Sequence, residues 1–474
     1  MCDQKKEDIN NYNIKKAVEV WIKNRNEAIE KYGHISNWDT SQVSDMSFLF
    51  CGDELFNDYI GDWDVSNVTN MISMFQYAKS FDQDIGKWNV SNVTDMERMF
   101  FNAKLFNNGG NSSINRWDVS KVKNMNLMFS ETNKFNQDIG GWKVFNVENM
   151  KGMFKRALLF NQDLGRWNVS KVTNMEAIFD GAQSFNGNIV KWDVSGVTNM
   201  KSMFHWASNF NQDIGSWDVK NVTNMNCMFD GAILFNQNLG SWNVGNVKTM
   251  VEMFSQALYF DNGDSSDIDR WDVSKVQKMN YMFFCAKSFN QDIGSWNVSN
   301  VKTMYCMFNC SYLFNKDISK WNVSNVNDMA SMFSGAIRFN QDISNWNVSN
   351  VNNIDNMFLK AKSFNQNIGK WPINKICILK DYVFDGSMVD EETFEGKLYG
   401  NKIAEYFNLN SPNEDKVWEP YTRWERRKNA VMFFSSISKM NITDSDSEEI
   451  KSNLILNTLH SMDDNIYKEI VMFI

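Results

Sequence analysis

Apolar side chains return along this chain with a fixed step. Tryptophan stands at 38, 63, 88, 117, 142, 167, 192, 217, 242, 271, 296, 321, 346 and 371, at intervals of 25 residues except 88 to 117 and 242 to 271, which are 29. Fourteen tryptophans therefore bound thirteen units. One unit places Trp63, Val65, Met71, Met74, Phe75, Ala78, Phe81 and Ile85 among Asp, Asn, Ser, Thr and Gln before Trp88 opens the next. Phenylalanine fills the Phe75 position in every unit from Phe50 to Phe358, and the Phe81 position from Phe56 to Phe364. Two periods alternate within the unit. Trp63 and Val65, with Asp64 between them, have the period of a short strand. Met71, Met74, Phe75 and Ala78 fall at i, i+3, i+4 and i+7, which predicts a short helix. Thr69 or Asn70 can serve as its N-cap, and Thr94 with Glu97 has capping-box spacing.

A unit this small cannot bury its own apolar face, whereas stacked neighbours cover one another and share a continuous core. The expected architecture is an α/β repeat solenoid: a right-handed, leucine-rich-repeat-like stack of about thirteen strand-turn-helix units. Its repeating core is typified by Trp63, Val65, Met71, Phe75, Phe81 and Ile85. An all-β helix is the competing architecture, and the helical spacing around Met71 disfavours it. Both 29-residue intervals carry their extra residues between the second phenylalanine and the next tryptophan, at 106–117 and 260–271. That stretch is expected to be a surface turn.

The periodic pattern divides the chain into a helical N-terminal cap (1–35), the repeat array (36–379) and a small helical C-terminal domain (380–474). Ile14, Ala17, Val18, Trp21, Ile22, Ala28 and Ile29 mark an amphipathic helix over 14–31 suited to cover the first unit. After Pro372 the period stops. Helical patterns follow from Arg423, over 447–461 and over 463–474; Arg423, Arg426, Arg427 and Lys428 suit a solvated helix face, with contact to phosphate or an acidic partner as the alternative.

Composition and charge remove function classes. A net charge of −9 argues against a general nucleic-acid binder. No signal-peptide pattern opens the sequence and no apolar run reaches membrane-spanning length, so an intracellular, cytoplasmic location is expected, with surface or virion display as the alternative. The seven cysteines are scattered, which suits reduced thiols; Cys306 and Cys310, four apart with no histidine nearby, make a poor zinc half-site. His34, His205 and His460 lie in different contexts and recommend no catalytic pairing. No metal, cofactor or catalytic residue is expected.

Several features that resemble sites have structural explanations. The residue after the second phenylalanine is asparagine in eleven units and aspartate at 82 and 261, a row able to bond successive backbones. The methionine stripe through Met46, Met71 and Met96 reads as core filler. The Asn-Val-Ser and Asn-Val-Thr triplets read as a by-product of the repeat. Asp261, Asp264, Asp267 and Asp269 could hold calcium, but the equivalent insert lacks these acids and a solvated turn is expected.

The string Phe-Asn-Gln-Asp-Ile-Gly-x-Trp-Asp-Val-x-x-Val-Thr-x-Met-x-x-Met-Phe at 210–229 resembles the BspA-like leucine-rich repeat family of surface proteins and lipoproteins. The likeness covers residues 36–371. It implies a leucine-rich-repeat-like solenoid used for binding or adhesion, with no catalytic residues to carry over. On that likeness Ile60, Trp63 and Val65 correspond to the Leu-x-x-Leu-x-Leu core, and residues 17–38 are similar to the helical cap that often precedes such arrays.

Function is then expected on side chains that the stack leaves free. Most positions flanking Trp and Val are Asp, Asn or Ser; the exceptions are Arg116, Lys143, Phe145, Arg166, Lys191 and Lys220, a candidate footprint for a protein partner. The expected function is a non-catalytic interaction scaffold. The alternatives are a cell-surface or virion adhesin of the BspA type and, behind it, an enzyme activity carried by residues 380–474.

Overall fold

The computed structural model describes residues 6–369, 371, 383 and 387 of the chain. Successive units lie side by side in register, one layer per repeat. A single parallel bridge joins each layer to the next, at Asp45–Asn70, Asn70–Asp95, Asp95–Asn124 and onward without a gap to Asp328–Asn353. The stretch predicted as a strand keeps its alternation, with Trp63 and Val65 buried and Asp64 exposed. The stretch itself carries no bridge: the bridge of this layer lies at Asn70, and no longer strand forms among the described residues.

Where the spacing predicts a short helix, the backbone instead makes consecutive β-turns. Met74 N–H donates to Met71 C=O at 3.3 Å, Gln76 N–H to Ser73 C=O at 3.2 Å and Ala78 N–H to Phe75 C=O at 3.0 Å. Ser73 and Tyr77 have φ of +54° and +63°, the left-handed conformation that the third residue of a type II turn requires. Helix cannot propagate through such residues. The intervening amides leave the layer: those of Met71, Ser73, Phe75 and Tyr77 donate to carbonyls of Asp95, Glu97, Met99 and Phe101 at 2.8–3.1 Å. Three amides thus close turns, four tie layers together and that of Ile72 donates to Asn70 Oδ1, which satisfies the backbone without helix or sheet. Turns repeating every second residue also bring Met71, Met74, Phe75 and Ala78 inward, so the apolar spacing alone does not separate the two conformations.

Three aromatic columns run through the core. Trp indoles stack 6.0–6.5 Å apart at Trp38–Trp63, Trp88–Trp117, Trp192–Trp217 and Trp346–Trp371. The first phenylalanines are 5.4 Å apart at Phe50–Phe75 and 5.7 Å at Phe333–Phe358, and within a layer Phe75 meets Phe81 at 4.0 Å. Met71, Met74, Phe75, Phe81 and Ile85 are fully buried, and their equivalents along the array are buried too. Each indole also needs an acceptor once it leaves water. Trp63 Nε1 donates to Ile35 C=O of the preceding layer at 2.8 Å, Trp88 to Ile60 at 3.1 Å, and the pattern reaches Trp371 and Ile343 at 3.0 Å. Trp217 Nε1 breaks the series and has no partner. Its expected acceptor, Ile189 C=O, precedes Val190, which stands where most layers have glycine. At Gly215, the equivalent residue one layer on, an added Cβ would sit 2.4 Å from Asn238 O, so the backbones approach too closely there for a side chain.

The asparagine row is a hydrogen-bonded ladder. Asn57 Oδ1 accepts the Asp82 amide at 2.9 Å, Asp82 Oδ1 the Asn107 amide at 2.7 Å, and the chain of bonds continues to Asn340 and Asn365 at 2.9 Å. Aspartate preserves the acceptor at 82 and 261, which is why it substitutes there: Asp261 Oδ1 accepts from Asn290 N–H at 2.8 Å. The inserts are not merely looped out. Each forms two short 3₁₀ turns, Asn108–Gly110 with Ser112–Arg116 and Asn262–Asp264 with Ser266–Arg270. Fully buried Asn108 and Asn262 reach back to accept the amides of Ile85 and Leu239 at 2.9 and 2.8 Å. In the acidic insert, Asp267 accepts from Ser265 and Asn262 at 2.7 and 3.1 Å, so the turn itself uses this carboxylate.

The N-terminal cap is two helices rather than one, α1 (Ile14–Lys23) and α2 (Arg25–Tyr32). Asn24, at φ −151°, breaks the helical path and caps α2 through Glu27 N–H. Ile14, Ala17, Val18, Trp21 and Ala28 are buried as expected. Ile22 and Ile29 are instead 40% and 38% exposed: Ile22 lies at the edge of the buried face of α1, and the break at Asn24 takes Ile29 out of the register assumed for one helix. Trp21 packs edge-on against Trp38 at 6.2 Å and donates to Asp58 at 2.8 Å. Asn11 Oδ1 accepts the Ser44 amide at 2.8 Å, supplying the acceptor that a preceding layer would give. The helical stretches expected after residue 380, with Arg423, Arg426, Arg427 and Lys428, lie outside the described residues.

Candidate interaction face

The alternation around each tryptophan decides which side chains remain available. Trp142 and Val144 point into the core, so Lys143 and Phe145 point out, and Phe145 is 40% exposed. Arg116, Arg166 and Lys191 each precede a buried tryptophan and are exposed; Lys220, three after Trp217, is exposed too. The register therefore brings Arg116, Arg166 and Lys191 into one column, with Lys143 and Phe145 together in the layer between the first two. Lys220 stands apart: it lies three layers from Phe145, roughly 15 Å at sheet-like spacing. Its ammonium bonds Asp218 in the same layer at 2.6 Å.

Column alignment adds residues that the local reading missed. The position before tryptophan is also basic and exposed at Lys87, Arg270 and Lys320. Lys87 is partnered by Asp62 of the preceding layer at 2.9 Å. The basic column therefore extends beyond the mid-array units. The signal was present in the 25-residue register and is lost when each substitution is judged against its own repeat.

A second column joins Lys155, Asp180, His205 and Asp230, one residue after the first phenylalanine of four consecutive layers. Lys155 Nζ lies 2.8 Å from Asp180 Oδ2, His205 Nδ1 lies 2.7 Å from Asp180 Oδ1, and His205 Nε2 approaches Asp230 Oδ2 at 3.3 Å. The last approach is a charge contact rather than a directed hydrogen bond. Asp230 is 1% exposed and also takes a 3.3 Å bond from Gln256 Nε2. Burial by itself would lower the His205 pKa, but the two carboxylates outweigh it and raise the value to about 9. Asp180 is lowered despite its burial, by His205 and then Lys155. Lys155 and His205 thus supply positive charge to carboxylates that the layers would otherwise strand.

A prediction with a defined sign results. A folded pKa raised above the unfolded value stabilises fully below about 6.5, and the gain is lost as pH rises through about 9. The lowered Asp180 value makes its contribution present above its unfolded value of 3.8 and lost as pH falls below that. His205→Ala is expected to cost about 3 kcal/mol at pH 7, because Asp180 and Asp230 lose the charge between them. Denaturant titrations of wild type and variant are expected to converge above pH about 9. A gap unchanged across that range would contradict the clamp.

No group of three or more His, Cys, Asp or Glu residues suited to a metal ion occurs among the described residues, and no helix there is long and apolar enough to cross a membrane. A family described as "Mycoplasma protein of unknown function, DUF285" matches the chain five times, over residues 12–112, 109–189, 160–266, 264–317 and 306–393. No curated protein matches it. With matches tiling the layers from the N-terminal cap to the end of the array, the chain belongs to the DUF285 family and is a repeat protein of that family.

Proposed function

We propose that the chain is a non-catalytic scaffold of the BspA-like, leucine-rich-repeat kind, a solenoid that presents its exposed columns to a protein partner. The observation that carries this reading is the division of labour among polar side chains. Asn, Asp and Gln at the turns are spent on neighbouring amides and carbonyls, as with Asn57, Asp82 and Gln83. Lys143 and Phe145 instead sit outward beside each other on a frame fixed by layer-to-layer bonds. An aromatic flanked by cations on a rigid support suits protein recognition, because little side-chain order must be imposed on binding. Location in the cell is part of the proposal: an intracellular scaffold is favoured, and a surface or virion adhesin would use the same face.

The test is affinity capture from cell lysate with the intact chain and with a Lys143→Glu/Phe145→Ser double variant, whose substitutions lie on the solvent side. At least one protein held by the wild type is expected to be lost by tenfold or more, in line with hot-spot losses of about 2 kcal/mol. Equal retention of every captured protein by the folded double variant would refute this face as the binding surface.

A further inference from the structure

The layer register brings two cysteines together that the sequence sets a full repeat apart. Cys285 and Cys310 occupy the same position of adjacent layers, with matching φ values of +55° and +57°. Phe283 N–H donates to Met307 C=O at 2.9 Å and Cys285 N–H to Asn309 C=O at 2.7 Å, so the backbones of the two layers run together up to the pair. Side chains in this column touch from layer to layer. Asn102 Nδ2 donates to Glu131 Oε2 at 2.6 Å, and an added Cβ at Gly335 would lie 3.0 Å from Cys310 Sγ. The Cys310 thiol is near enough to Cys285 to raise its pKa. Cys306 is directed elsewhere, toward Tyr305, Asn309 and Ser331, with Asn309 Nδ2 3.7 Å from its sulfur. Adjacent hydrogen-bonded layers lie about 4.8 Å apart, inside the Cα separation of roughly 4.4–6.8 Å that a disulfide spans.

We propose that Cys285 and Cys310 are a disulfide-forming pair that staples two adjacent layers, with a low-molecular-weight disulfide as the oxidant. One protein thiol loses its proton and attacks a sulfur of the small disulfide, whose S–S bond breaks to release one small thiol. The second protein thiol, deprotonated in turn, displaces the remaining small thiol and closes the Cys285–Cys310 bond. The two electrons lost by the protein sulfurs reduce the small disulfide, and the two protons end on the released thiols. The neighbouring Cys310 thiol and then burial raise the Cys285 pKa, which makes the first attack slow at neutral pH; Lys287 partly offsets this. The staple closes a loop one repeat long and restricts the unfolded chain.

The experiment treats the full-length protein with cystamine in mildly alkaline buffer and maps peptides under non-reducing conditions. The expected product is a Cys285–Cys310 linked peptide lighter by two hydrogen atoms, formed equally in Cys306→Ser and absent from Cys285→Ser and Cys310→Ser. The oxidised wild type is expected to melt several degrees higher, and reductant to reverse the shift. Stable mixed disulfides on both residues without a crosslink, or a Cys306–Cys310 link, would overturn the proposal. So would failure of both thiols to react while the other cysteines do. The wild-type map decides the matter even if a serine variant folds poorly.

Discussion

Phe229→Ala is expected to destabilise the array by about 4 kcal/mol, near the upper end for a single core truncation. Phe229 is fully buried. Its ring stacks on Phe204 at 5.6 Å in one neighbouring layer and on Phe254 at 5.5 Å in the other. It also lies 4.1 Å from Phe235 in its own repeat and 6.2 Å from Trp242, which opens the next. Removing the ring opens a cavity bordered by three layers at once. The surrounding backbone cannot collapse into it without breaking cross-layer bonds such as Phe229 N–H to Met253 C=O at 2.9 Å. In an array held by nearest-neighbour contacts, such a defect weakens two interfaces. Tyr259→Ser supplies the contrast: the ring is 56% exposed, and the change is expected to stay within about 0.5 kcal/mol. Equilibrium unfolding in urea reads both. A Phe229 loss below about 1 kcal/mol would mean that the aromatic columns do not carry the stack.

The repeat, its phase and its buried set were legible because they depend on periodicity. Trp63, Val65, Met71, Phe75, Phe81 and Ile85 are all buried in the layer where the 25-residue step puts them. The asparagine ladder was legible for a related reason: a polar residue fixed in every unit must answer a need present in every unit. The conformation around Met71 was not legible. Inward spacing at i, i+3, i+4 and i+7 fits a helix and a run of overlapping β-turns alike, and only the destination of the amides distinguishes them. That destination is the next layer, information that no single repeat contains. Non-glycine residues such as Ser73, Arg98 and Leu127 hold φ near +54° at this position, contrary to their local preference, and the cross-layer bonds hold them there.

The face and its chemistry were only half legible, for the same reason. Lys143 and Phe145 stood out against their own repeat, while His205 had no partner within its own. Stacking converts residues one repeat apart into direct neighbours, so a histidine with no partner in its local sequence acquires two carboxylates. Cys285 and Cys310 follow the same rule, whereas Cys306, closer to Cys310 in sequence, takes a contact from Asn309.

The most direct measurement compares two deletions. Removing residues 322–346 takes out one complete repeat and joins Trp321 to Asn347, which leaves every column in phase. Removing residues 322–333 takes out fewer residues but joins Trp321 to Ser334, in the middle of a layer. The in-phase variant is expected to keep the near-ultraviolet circular dichroism of packed tryptophan and to unfold cooperatively, with a urea m-value reduced in proportion to its shorter chain. The shorter, out-of-phase deletion is expected to lose several kcal/mol and much of the tryptophan signal, since it leaves unpaired rings on both sides of the junction. Equal tolerance of the two deletions, or greater damage from the in-phase one, would contradict a fold built from interchangeable layers.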